Sequence, residues 1–207
     1  MHPPPAQSPP RPAARPSLRS IRKRLRWLGL SSDGLTVFLA GIVGVLAGCG
    51  AALFTWLIEL VTESSVGAVT ARAASQPLWL WTLLVVPAFG LLVVSWFTRR
   101  FAPETQGHGV PEVVTAVARN DGVVRPQVAL VKTLASAFCI GTGGSVGREG
   151  PIVQIGSALG STAGQWFGLT PRNVKVLVAA GGAAGISATF HAPIAGVMFA
   201  SESILGS

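Results

Sequence analysis

The chain has 207 residues, 12% of them charged and 49% hydrophobic, with a formal net charge of +8 and a mean hydropathy of +0.54. So few charges cannot solvate a globular surface, and the composition indicates an integral membrane protein. The positive balance is not that of a nucleic-acid binder: seven basic residues crowd between Arg11 and Arg26, and no zinc or aromatic-platform motif accompanies them.

Residues 1–17 are rich in Pro, Ala and Arg and read as a disordered cytoplasmic tail. In residues 18–30, Leu18, Ile21, Leu25 and Leu28 recur at helical spacing between Arg19, Arg22, Lys23, Arg24 and Arg26. That pattern predicts a short basic amphipathic helix lying on the inner membrane surface against anionic lipid. No acidic residue precedes Asp33, so the positive-inside rule puts the N-terminus in the cytoplasm. The polar, Pro-rich start and the long first apolar run do not make a secretory signal.

Leu35 to Val61 is apolar and rich in small residues, and its length predicts a tilted membrane span. Gly41, Gly44, Gly48 and Gly50 suit close helix contact. Thr62 to Pro77 reads as a polar outer loop. Leu78 to Phe97 reads as a second span, with Trp79, Trp81 and Trp96 at its interfaces and Arg99 and Arg100 back on the cytoplasmic side. Pro87 either kinks it or has its lost hydrogen bond absorbed by neighbouring helices. Cys49 and Cys139 lie in apolar stretches and read as small packing residues.

Beyond Arg100 the apolar segments shorten. Pro111 to Asn120, Pro126 to Ile140, Pro151 to Phe167, Pro171 to Ala180 and Ala192 to Ser203 each begin at or next to a proline. Most are too short to cross a bilayer upright. Broken helices at membrane depth are tolerated where they are buried or line a watery cavity, and they point to a transporter site. A soluble helical bundle would need more surface charge than Lys132, Arg148, Lys175 and Glu202 supply.

Within this region, Gly141 to Gln154 forms a glycine-rich loop that runs into a helix, with Arg148 and Glu149 in otherwise uncharged sequence. The first N–H groups of a helix have no partner inside it, and the helix dipole favours negative charge there. Gly147-Arg148-Glu149-Gly150-Pro151 therefore reads as an anion site. Gly107-His108-Gly109-Val110-Pro111, leading into Glu112, is built alike. Two such helix starts facing each other would replace an anion's hydration shell with N–H dipoles without trapping it. Glu149 has two readings on spacing alone. It can occupy the anion position and act as a gate released by protonation or rotation, or it can cap the helix and pair with Arg148.

Three motifs occur in order: GxGxPE at Gly107 to Glu112, GREGPxVQ at Gly147 to Gln154, and Phe190-His191-Ala192-Pro193-Ile194-Ala195-Gly196-Val197-Met198-Phe199. Together they resemble the CLC family of voltage-gated chloride channels and chloride/proton exchangers, over roughly Gly34 to the end. The resemblance implies an all-α integral membrane fold of tilted and broken transmembrane helices, with residues 34–207 forming the first part of an inverted-repeat architecture. It further implies a homodimer in the cell membrane with one anion pathway per subunit. Glu149 takes the position of the gating glutamate. Gly107, His108, Gly109, Val110, Pro111, Gly147, Arg148, Gly150, Pro151 and Ile152 match anion-binding positions, and Lys132 a basic position shaping the approach, or a salt-bridge position. Glu202 matches the first of two adjacent acids that many exchangers carry, the second of which feeds internal protons, and is retained as a candidate proton residue.

The chain departs from the family pattern in three places. His108 stands where Ser is usual, Ser203 stands where exchangers carry a second acid, and the chain has no tyrosine for the pore position. The first leaves the anion preference open, with nitrate or fluoride as alternatives to chloride. The second favours a channel or weakened coupling. The third, with the length, leads us to expect an N-terminal half that does not conduct alone. Chloride, and possible proton exchange, are thus the expected partners, with no cofactor, no metal and no nucleic acid. A membrane enzyme using Glu149 and His108 as an acid/base pair lacks a nucleophile elbow, a metal cluster or a phosphate loop, and we expect no enzyme.

Overall fold

A computed structural model describes residues 32–73, 81–101 and 109–206. The expected tail at 1–17 and surface helix at 18–30 lie outside the described residues, as do Gly107 and His108. The described residues fold into helices throughout: α1 (Ser32–Thr62), α2 (Ala68–Ala73), α3 (Thr82–Phe101), α4 (Gly109–Arg119), α5 (Pro126–Gly141), α6 (Glu149–Trp166), α7 (Pro171–Phe190) and α8 (Pro193–Phe199).

The first span has the predicted position, but the expected outer loop, Thr62 to Pro77, is helical as far as Ala73, its last four residues lying outside the described residues. One π-helical turn, Glu63–Gly67, carries α1 straight into α2, so that a continuous helix runs from Asp33 to Ala73. Hydroxyl groups make this possible by taking over backbone carbonyls that a widened turn leaves poorly paired. Thr62 Oγ1 donates to Ile58 O at 2.8 Å, and Ser65 Oγ donates to Val61 O at 2.6 Å and to Gly141 O at 2.8 Å. The last of these ties the turn to the end of α5.

Along α1, Leu35, Leu39, Val43, Ala47, Ala51 and Phe54 are buried, whereas Val37, Phe38, Ile42, Val45, Leu46, Leu53 and Trp56 are exposed. A helix that is apolar on both its packed and its open face suits a lipid surround. α3 follows the same rule more strongly, with Leu84, Val85, Leu92 and Trp96 all exposed, as is Trp81 just before it. It passes through Pro87 without a break. α1, α3 and α7 are each long and apolar enough to cross a membrane.

α7 corrects a second expectation. It runs for 20 residues from Pro171 to Phe190, where the sequence suggested a short segment stopping before Gly181-Gly182. Its start is built from Pro171 and a Thr170 side chain that accepts from Asn173 N. The glycines do not break it, because they form a seam with α6. A Cβ on either Gly156 or Gly181 would overlap the other residue's carbonyl, and one on Gly160 would overlap the carbonyl of Leu177. Small residues thus bring two helix backbones together, the usual device for packing in lipid.

Around this α6–α7 pair lies the main core, in which Val113, Ala116 and Val117 of α4 meet Val153 and Ala158 of α6, and Val178, Ala183 and Ile186 of α7. Ser161 anchors the turn after α4: its Oγ donates to Gly122 O at 2.7 Å and accepts from Val124 N at 2.9 Å. α4 is therefore fixed on α6 at both ends.

Candidate functional site

The two glycine-led helix starts meet. A Cβ built on Gly109, the first residue of α4, would lie 2.5 Å from Gly150 O and 2.7 Å from Gly150 Cα. Contact this close excludes any side chain at Gly109, because the obstacle is backbone. α6 begins beside it at Glu149, with no side-chain cap at its N-cap residue Arg148. Two N-terminal ends, each with outward N–H groups and a positive dipole end, thus share one junction.

Of the remaining predicted residues of the first two motifs, Pro151 and Ile152 are buried, Val110 and Gly150 are half-buried, and Pro111, Gly147, Arg148 and Glu149 are exposed. Ile152 belongs to a second cluster with Ala51, Phe54 and Ala137, which locks the first turn of α6 against α1 and α5. Pro151 and Ile152 therefore hold the junction from behind, while Arg148 and Glu149 stand at its open side.

The Glu149 carboxylate folds back over its own loop: a Cβ on Gly147 would collide with Glu149 Oε2. Arg148 does not take up this carboxylate. Among the described residues its guanidinium lies over the Phe190 ring, 5.8 Å from the centroid, at cation–π distance. Phe190 closes α7, and His191 after it adopts the left-handed conformation, φ 53°, to turn the chain into α8. The second and third motifs are thus linked by a stacking contact that spacing did not reveal.

Lys132 is buried on α5 and donates to Glu112 Oε2 of α4 at 3.1 Å, with side-chain exposures of 11% and 35%. The pair ties α5 to the first turn of α4, just beyond Gly109. Glu202 sits elsewhere. It is exposed on the π-helical turn Ala200–Ile204, whose inner residues Ala200 and Ile204 are buried in the main core. The site's least expected feature is Gln154, one turn into α6. It is 1% exposed, and neither its Oε1 nor its Nε2 has a hydrogen-bond partner. A lone amide within the apolar run of α6 was the available signal.

The model of the family described as voltage gated chloride channel matches residues 89–207. The chain is 37% identical over 168 residues to the H(+)/Cl(-) exchange transporter ClcA of Vibrio cholerae serotype O1, covering 80% of this chain and 36% of that protein. It is 36% identical over the same length to proteins of that name from Klebsiella pneumoniae and Salmonella schwarzengrund, covering 35% of each. The chain therefore spans about a third of the length of the curated relatives it matches.

Proposed function

We propose, since the chain belongs to the voltage gated chloride channel family, that it contributes to a pathway carrying chloride across a membrane, as a channel or in exchange for protons. The observation that carries this reading is the abutment of Gly109 and Gly150 at the starts of α4 and α6. An anion there is met by N–H dipoles from two helices and by no full positive charge at contact, which allows both entry and release. Glu149, beside Gly150 on the open side, supplies a carboxylate of the same sign as the permeating ion. In this reading it competes for the junction when ionised and yields when protonated or rotated.

Arg148, exposed at the loop, draws anions toward the mouth, and Lys132 adds a positive charge from behind, moderated by Glu112. Glu202 is the candidate proton carrier on the other side of the core. Transport of this kind uses no cofactor, no metal and no covalent chemistry, so the protein is not an enzyme in this account. The flanking basic sequence supports a reading with the N-terminus in the cytoplasm against anionic lipid, in a multi-pass protein of the cell membrane that works as a homodimer.

The test is chloride uptake by proteoliposomes containing the native, transport-competent protein that includes this chain, with nitrate and fluoride as competitors. Saturable uptake that chloride itself competes best supports chloride as the substrate. Preferential competition by nitrate or fluoride would assign the pathway to another anion, as the histidine at position 108 invites. Uptake no faster than in empty liposomes would refute the reading.

A further inference from the structure

Gln154 is the described residue that the account so far leaves without a task. Buried side-chain amides in folded proteins are hydrogen-bonded with few exceptions, yet both ends of this one are unpartnered at 1% exposure. Its neighbour at the same depth, Ser157, is already committed, donating to Val178 O at 3.1 Å.

Position indicates what the amide faces. Side chains on a helix lean back over the preceding turn, and the residue four positions before Gln154 is Gly150. That residue offers no side chain, and what packs beside it is the start of α4: a Cβ built there would lie in ordinary contact with Gly109 N at 3.5 Å and Gly109 Cα at 3.6 Å. The amide of Gln154 therefore leans toward the junction of the two helix starts, from its buried side.

Chemistry narrows the ligand. An amide presents one acceptor oxygen and two N–H donors. A halide accepts hydrogen bonds and gives none, so it can satisfy Nε2 but not Oε1. Water both donates and accepts, so it can satisfy both ends of the amide. We infer that Gln154 holds ordered water at the buried side of the Gly109–Gly150 junction, with Nε2 donating to water and Oε1 accepting from it. A consequence rests on the chloride reading above: this water stays when an anion occupies the junction and supplies part of its shell, so the ion is never fully stripped.

The experiment has two arms, both on the native, transport-competent protein. The first is a structure fine enough to resolve waters, of wild type and of Gln154→Leu. Density at hydrogen-bonding distance from both Oε1 and Nε2 in wild type, lost in the variant, is expected. An empty niche, or protein groups satisfying both amide ends, would overturn the assignment. The second arm is chloride titration by calorimetry with a thermal melt of each protein. Gln154→Leu should bind chloride about tenfold more weakly, the worth of about one hydrogen bond, while its Tm holds, because the amide and the water it bonds are removed together in favour of an apolar group of similar size. Gln154→Met serves if the leucine variant does not fold. Unchanged chloride affinity would overturn the shell role. A wild type that binds no chloride would instead refute the transport reading and leave the first arm to decide the water.

Discussion

Lys132 and Glu112 show how a charge is kept between packed helices. The ammonium is buried and the carboxylate is about one-third exposed, so the two partners are not equivalent. Removing Glu112 leaves a buried cation without that carboxylate, whereas removing Lys132 leaves an anion that water still reaches. Glu112→Gln should therefore cost more stability than Lys132→Met, about 2 kcal/mol against about 1, and the double variant less than their sum, by thermal melts in detergent. Equal costs would mean that the pair's burial is not what matters. Residue roles were unevenly legible. The glycine at 109 announced itself because a helix start needing close backbone approach excludes every other residue there. The partnership of Lys132 with Glu112, and of Arg148 with Phe190, depends on how α4, α5, α6 and α7 pack, which no local spacing encodes.

At the scale of elements, the proline-led starts were readable, since α5, α7 and α8 begin at Pro126, Pro171 and Pro193. The two misread boundaries share one physical cause, a local signal overruled by a tertiary or side-chain contact. Thr62 to Ser65 look like loop residues, but their hydroxyls turn inward to backbone carbonyls and let the helix continue. Gly181 and Gly182 look like a break, since each glycine costs a helix about 1 kcal/mol relative to alanine, but the seam with α6 more than offsets that cost. Gly156→Ala should accordingly lose about 2–3 kcal/mol or fail to accumulate, because the obstructing atoms belong to the Gly181 backbone and cannot step aside. Gly41→Ala is its control: nothing lies within 4 Å of a Cβ there, so it should melt at or slightly above wild type. A Gly156→Ala protein as stable as wild type would contradict the seam.

Over the whole molecule, the outer faces of α1 and α3 are apolar where a soluble protein would be charged, and this was plain from composition before any helix was placed. Leu92, on α3, is 69% exposed. Leu92→Arg should raise the cost of inserting α3 by about 3 kcal/mol, measured as the inserted fraction in a glycosylation-mapping assay, whereas a water-facing surface would tolerate it. Less legible was the way Arg148 of the second motif meets Phe190 of the third. The central claim is that the carboxylate at the open side of the Gly109–Gly150 junction gates an anion path. It is tested most directly by chloride flux against pH for wild type and Glu149→Gln in the native, transport-competent protein. We predict that the variant conducts chloride at a rate independent of pH, while wild-type flux rises as the carboxylate is protonated. A variant that keeps the wild-type pH profile would contradict the account.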